Sequence, residues 1–228
     1  MTMALQHIKV KICGIRTLDD ALVAAYAGAD FLGMVFVPAR HRRITADAGK
    51  AIAEGVRNSG GNVPRIVGLF ADQLLDEVNA IVDYVGLDVG QLCGEETVEY
   101  AGQVSCDVIK VVHVVESATA TDDAGTGQRV RDFNGVGHLV TLDRYVEGLQ
   151  GGTGKGFNWE IAASLSQAGQ SFLLAGGLTP ENVAQAIGEV SPWGVDVSSG
   201  VETDGIKDHV KIRAFMRNAR AAAVKTDR

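Results

Sequence analysis

The sequence predicts an α/β chain folded as a single-domain (β/α)8, or TIM, barrel spanning residues 1–228. Three observations point there. Short β-like runs alternate with helical patterns from end to end, an order that calls for parallel strands joined by helical crossovers. Eight such units fit the chain, at roughly 28 residues each. The turn after the first run reads Cys13-Gly14-Ile15-Arg16, which is not the glycine fingerprint of an open doubly wound sheet.

The elements follow in order. Val10 and Ile12 alternate with Lys9 and Lys11 in a first strand over 8–13, which Gly14 ends. Thr17 is placed to cap a helix over 18–27. Residues 31–36 (FLGMVF) form a continuous apolar run, as expected of a strand buried on both faces. Thr45 caps a helix over 46–57, a strand follows over 65–70, and a helix over 74–82 comes next. Strands are expected at 90–92, 108–112, 138–142, 172–175 and 194–197, with a helix starting near Glu95. No long linker or low-complexity tract divides the chain. The polar stretch 116–127 (ESATATDDAGTG) reads as a surface insertion or a frayed helix start.

Composition narrows the function. Hydrophobic residues make up 46% and charged residues 21%, which suits a globular chain with a large core. A net charge of −7 leaves no excess of cations to displace counterions from phosphates, so nucleic acid is not an expected partner. Cys13, Cys93 and Cys106 are odd in number and lack metal-ligand spacing, so neither a disulfide framework nor a metal site is expected. Free thiols suit a reducing cytoplasm. Residues 1–6 lack the cationic and apolar segments of a secretory signal, and no run of 18 apolar residues suggests a membrane span. The sequence leaves monomer and homodimer open.

The residues that carry chemistry sit at strand ends, where barrels of this kind build their sites. Cys13 is expected to project from the carboxyl end of the first strand rather than into a packed core; the alternative is one more buried cysteine. Asp143 is expected to end the sixth strand and point into the mouth, where a thiolate and a carboxyl could flank a ligand. Such a pair suits an isomerisation of aldose–ketose type, which adds a proton at one atom and removes one at another without a cofactor.

Two glycine-rich turns follow the last two strands: Gly176-Gly177 before Thr179-Pro180, and Asp196-Val197-Ser198-Ser199-Gly200. Thr179 reads as a helix N-cap with Pro180 at the first helical position. Loops in these places, with backbone N–H groups able to approach an anion, form the usual phosphate cradle of the barrel. A third cluster, 148–157 (GLQGGTGKGF), is not a Walker loop, because Leu149 and Gly156 stand where that motif needs Gly and Ser or Thr. It reads better as a lid after the sixth strand. His113, near the end of the fifth strand, reads as a satisfied structural histidine.

Taken together, KICGIRT from Lys11, FVPARHR from Phe36, GQLCGEE from Gly90, the Leu142-Asp143 step, GGTGKGFNW ending at Trp159, AGGLTPENV and GVDVSSGVE resemble the phosphoribosylanthranilate isomerase family nearly end to end. The resemblance implies an Amadori rearrangement of a phosphoribosyl amine, with Asp143 as general acid and Cys13 as general base. It implies that Arg42 contacts the anthranilate end, with Arg40 and Arg43 as neighbours. It implies that Gly177, Ser198, Ser199 and Gly200 hold the phosphate, and Gly176, Asp196 and Gln91 are carried with them as substrate contacts. One departure stands out: the family usually reads Gln-Leu-His-Gly where this chain has Gln91-Leu92-Cys93-Gly94; Cys93 reads as a neutral packing replacement, the alternative being a sign of altered substrate tuning.

Two other readings compete. Indole-glycerol-phosphate synthase and a dual-substrate histidine/tryptophan isomerase resemble the chain at the phosphate turns, but the dual enzyme is expected to carry an aspartate in place of Cys13. A phosphate-ligand binding protein without catalysis is opposed by the presence of both Cys13 and Asp143.

Overall fold

Alternation along the first strand sets the architecture. In β1 (Lys9–Cys13) Val10 and Ile12 join a large apolar cluster on one face, whereas Cys13 joins a smaller cluster on the other. The computed structural model describes residues 8–38, 40–61, 63–115, 124–145 and 159–223. Within them β1 pairs in parallel with β2 (Phe31–Val35) on one side and β8 (Gly194–Val197) on the other. Between these run β3 (Arg65–Phe70), β4 (Val89–Leu92), β5 (Asp107–Val115), β6 (Leu139–Tyr145) and β7 (Phe172–Leu174), each bonded to the next, so the sheet closes as an eight-stranded barrel. Closure leaves no strand edge exposed and fixes which residues face inward.

The inward face carries Cys13, Phe31, Val35, Val67, Leu69, Val89, Ile109 and Leu173. The outward face packs on eight helices: α1 (Leu18–Tyr26), α2 (Ala46–Arg57), α3 (Leu75–Val85), α4 (Val98–Ala101), α5 (Ala124–Gly135), α6 (Trp159–Gln167), α7 (Val183–Val190) and α8 (His209–Ala223). Thr17 and Thr45 cap their helices as expected, each hydroxyl accepting a backbone N–H at 3.2 Å. Every residue of β2 is buried, in keeping with its continuous apolar run. Among the described residues no helix is long and apolar enough to cross a membrane.

Several local expectations are corrected. The helix expected from Glu95 shrinks to the single turn α4, capped by Thr97. The reason is Glu96, whose carboxylate turns inward and accepts the backbone N–H groups of Asp72 (2.9 Å) and Gly94 (3.0 Å), holding the preceding residues as loop. Thr179 does not open α7. Asn182 closes a tight turn instead, accepting from Thr179 N–H at 2.8 Å and donating to the Gly177 carbonyl at 3.0 Å, so the helix begins at Val183. Strands β5 and β6 outrun their apolar segments because they stay paired from Ile109↔Leu139 to Val115↔Tyr145. Asp143 therefore lies two residues before the end of β6.

A hairpin that the sequence reading passed over, β9 (Glu202–Thr203) with β10 (Ile206–Lys207), follows β8. Asp204 and Gly205 turn it with φ of 52° and 74°, the paired positive angles for which an Asp-Gly step is suited. Three regions of interest lie outside the described residues: the amino terminus, most of the polar stretch (116–123) and the expected lid at 148–157.

Candidate active site

Inward positions near the carboxyl ends of β1, β4, β5, β6 and β8 converge on the barrel mouth. Cys13 is 7% exposed and packs with the inner cluster, so the expectation that it escapes a core is corrected. It is the uppermost residue of β1, and Gly33 in the neighbouring strand makes room for it. A Cβ at Gly33 would stand 2.9 Å from the Cys13 sulfur and 3.1 Å from Lys11 Nζ. Absence of a side chain there lets both groups lean over the same spot.

Asp143 reaches the mouth by alternation. Val140 and Leu142 are buried in the outer cluster, whereas Leu139 packs on the inner one, so Asp143 takes the inward face. Its β5 partner in register is His113, whose side chain is exposed.

Beneath the mouth a buried ion pair crosses from β1 to β8. Lys11 Nζ donates to Asp196 Oδ2 at 2.8 Å, and neither side chain is more than 7% exposed. The other carboxylate oxygen, Asp196 Oδ1, has no hydrogen-bond partner among the described residues. Gln91 Oε1 and Thr141 Oγ1, also on inward positions, share that condition. Buried polar atoms are ordinarily paired, so three orphans on one inner surface mark a place that a polar ligand would complete.

The Cys13 thiol is pulled in both directions. Burial pushes its pKa up, the Lys11 ammonium draws it back, the Asp196 carboxylate pushes it up again, and Lys207 draws it down. Cys93 is simpler. Burial pushes its thiol up to about 12, and its sulfur lies 3.7 Å from Gln91 Nε2, so it is a neutral thiol beside the Gln91 amide, in line with a packing replacement.

A second charged cluster rims the mouth. Arg42, in the loop after β2, holds Glu202 by two bonds of 2.8 and 2.6 Å. Lys207 Nζ donates to the same carboxylate and to the Ser198 carbonyl, both at 2.8 Å. Burial alone would raise the Glu202 carboxyl, but these two cations outweigh it and bring it down to about 2. Arg42 is thus ordered by a partner, and Arg43 beside it is exposed. Sequence reasoning missed Glu202 and Lys207. The Asp204-Gly205 turn signal between them was legible and would have found the hairpin that presents them.

The glycine turns meet as expected. Gly176 and Gly177 hold φ of 85° and 79°, conformations that a side chain would strain. Ser198 to Val201 wind a short 3-10 turn in which Gly200 lies directly on the Leu178 carbonyl, leaving no space for a Cβ. Gly14, at φ 78°, lies under both Arg42 and the Ser198 hydroxyl, so the loops after β1, β2 and β8 touch there. The structure therefore gathers Cys13, Gln91, Asp143, Asp196 and the residues from Ser198 to Gly200 at one end of the barrel. Among the described residues no group of three or more His, Cys, Asp or Glu is arranged to hold a metal ion.

Fold and site together define a barrel enzyme that presents ionisable side chains and glycine turns to a small polar ligand. A family model described as N-(5'-phosphoribosyl)anthranilate (PRA) isomerase matches residues 10–218. A relative of that name from Roseiflexus castenholzii is 45% identical over 218 residues, covering 94% of this chain and 99% of its own length. The crystal structure of phosphoribosyl anthranilate isomerase from Thermotoga maritima has a TM-score of 0.80 at 35% identity, covering 94% of this chain and 99% of its own. Another, of the isomerase in complex with reduced 1-(o-carboxyphenylamino)-1-deoxyribulose 5-phosphate, has a TM-score of 0.76 at 33% identity with the same coverage. The chain belongs to the phosphoribosylanthranilate isomerase family, and is an isomerase of the intramolecular oxidoreductase kind.

Proposed function

We propose that this chain converts N-(5'-phosphoribosyl)anthranilate to 1-(2-carboxyphenylamino)-1-deoxyribulose 5-phosphate by an Amadori rearrangement, serving tryptophan biosynthesis in the cytoplasm without a cofactor. The observation that carries the reading is the shared inward face of Cys13 and Asp143 at the barrel mouth, with the orphaned Asp196 and Gln91 oxygens on the same surface.

Asp143 acts as general acid. It protonates the furanose ring oxygen, the bond from C1' to that oxygen breaks, and the nitrogen lone pair forms the C1'=N double bond of a Schiff base. Cys13, as thiolate, removes the C2' proton, and the electrons of that bond form an enolamine while the nitrogen regains its lone pair. Tautomerisation of the enolamine to the ketone completes the product. Asp196 Oδ1 and Gln91 Oε1 accept from ribose hydroxyls, which satisfies both orphaned atoms. Main-chain N–H groups of Gly176, Gly177, Ser198, Ser199 and Gly200 take the phosphate, and Arg42, steadied by Glu202, faces the anthranilate carboxylate.

The test follows anthranilate fluorescence on freshly generated substrate, with the histidine-pathway analogue run alongside. Asp143→Asn and Cys13→Ser should each lower kcat by about 100-fold or more, the scale of acid–base catalysis. A product analogue should still bind both variants. Turnover at the parent rate in either variant would overturn its role.

A further inference from the structure

Lys11 is a charged side chain with no exposed surface, and the mechanism above does not use it. We propose that Lys11 is the positioning residue of the base: its ammonium, fixed between the Cys13 sulfur and the Asp196 carboxylate, stabilises the thiolate form of Cys13 and orients Asp196 so that Oδ1 faces the substrate. This rests on the assignment of Cys13 as base.

The geometry carries it. Lys11 and Cys13 are two residues apart on one strand, so both side chains leave on the inward face. Gly33 opposite leaves a gap that both fill, its missing Cβ lying within about van der Waals distance of Sγ and Nζ alike, at 2.9 and 3.1 Å. Barrel closure then brings Asp196 of β8 into register with Lys11, Oδ2 taking one ammonium proton at 2.8 Å. An ammonium has three donors, and the Cys13 sulfur shares with Nζ the space that Gly33 leaves.

The chemistry needs such a group. A thiol in an apolar inner layer resists ionisation, because burial disfavours the charged form. A fixed cation beside it reverses part of that penalty at the moment the base is needed. Other charges face the sulfur too. Asp196 opposes ionisation and Lys207 favours it; Arg42 and Cys93 lie further around the mouth, and Asp143 and His113 occupy paired inward positions on β6 and β5. Among the groups that favour ionisation of Cys13, Lys11 has the largest influence. Lys11 is not itself the nucleophile or acid: burial pulls its pKa down, but Asp196 and Cys13 outweigh that and hold it above the ordinary lysine value. It remains an ammonium.

The experiment compares the full-length protein with Lys11→Gln, whose amide can still donate to Asp196 without a charge. A second variant, Lys11→Met with Asp196→Asn, removes both charges and avoids a lone buried carboxylate should the first fail to fold. Iodoacetamide labelling of Cys13, quantified by peptide mass spectrometry from pH 6 to 10, reads the thiolate directly. Its labelling rate at any given pH in that window should fall about ten- to hundredfold in Lys11→Gln, the equivalent of a thiol that ionises one to two pH units higher. Activity at pH 7 should fall about ten- to hundredfold and recover as pH rises, since each unit restores tenfold more base. A merely structural role would lower the rate equally at every pH. Labelling curves that superimpose on the parent's, or a rate deficit independent of pH, would overturn the proposal. Failure of the base assignment shows elsewhere, as parent-rate turnover by Cys13→Ser.

Discussion

Lys11 and Lys110 occupy matching local sequences, Val10-Lys11-Ile12 and Ile109-Lys110-Val111, and both end as fully buried cations paired with a carboxylate. They face opposite ways. Lys11 points into the barrel, towards Asp196 at 2.8 Å; Lys110 points outward, towards Glu96 at 2.7 Å. The outer pair is closed. Lys110 also donates to the carbonyls of Leu92 and Gly94, while Glu96 accepts from the backbone of Asp72 and Gly94. The inner pair is open, because Asp196 Oδ1 has no partner among the described residues and the Cys13 sulfur lies beside the ammonium. Similar burial and similar distance thus go with different surroundings: the saturated pair fastens the loop after β4, and the unsaturated one leaves a carboxylate oxygen for the ligand proposed above.

That contrast can be broken at four points. Lys110→Met should cause the largest loss of stability, about 3–5 kcal/mol, because removing one partner strands Glu96 as an uncompensated buried charge. Urea unfolding measures it, and a loss below about 1 kcal/mol would mean that the outer pair does not fasten the loop.

Glu202 comes next. Its folded pKa of about 2 lies below the ordinary value of 4.5, so its stabilisation is present above the ordinary value and fades as pH falls towards 2. The full effect is on the order of 3 kcal/mol, of which about 2 kcal/mol is lost between pH 6 and pH 3 as a falling urea midpoint. Glu202→Gln should flatten that part of the profile; an unchanged slope would put the acid sensitivity elsewhere.

Asp196→Asn should lower kcat/KM about ten- to hundredfold, as expected from roughly 1.5–3 kcal/mol for a hydrogen bond to a charged acceptor. An unaltered kcat/KM would remove Asp196 from the substrate surface. The smallest effect belongs to Arg65–Asp107, a 2.6 Å pair whose side chains are 42% and 72% exposed. Despite its short distance, Asp107→Asn should cost less than about 1 kcal/mol in the same unfolding assay, since water and salt screen it. A larger cost would show that distance rather than burial ranks these pairs.

Much of the fold was legible because its signals are local. The ranges of α2, β3 and β8 coincide with their predicted runs, and Thr17 and Thr45 cap where hydroxyls precede apolar periodicity. Boundaries failed where a distant side chain intervened: Glu96 turned towards Lys110 and shortened α4, and Asn182 closed a turn that delayed α7. The positions of Cys13, Asp143 and the glycine turns in the proposed site were readable because strand ends and turn residues announce themselves. Glu202 and Lys207 were not read, although the Asp204-Gly205 step signalled their hairpin.

By itself the sequence determined the barrel, its inside–outside alternation and the two titratable groups of the proposed chemistry, since strand period, helix period and turn chemistry act over a few residues. Only the tertiary structure decided which lysine enters the barrel and which stays outside it. It also brought Lys11 to Asp196 across 185 residues and Arg42 to Glu202 across 160. The reason is physical: closure of β1 on β8 and packing of one loop on another place charges by distance in space, and a buried charge is governed by what lies within a few ångströms of it, however far away in the chain.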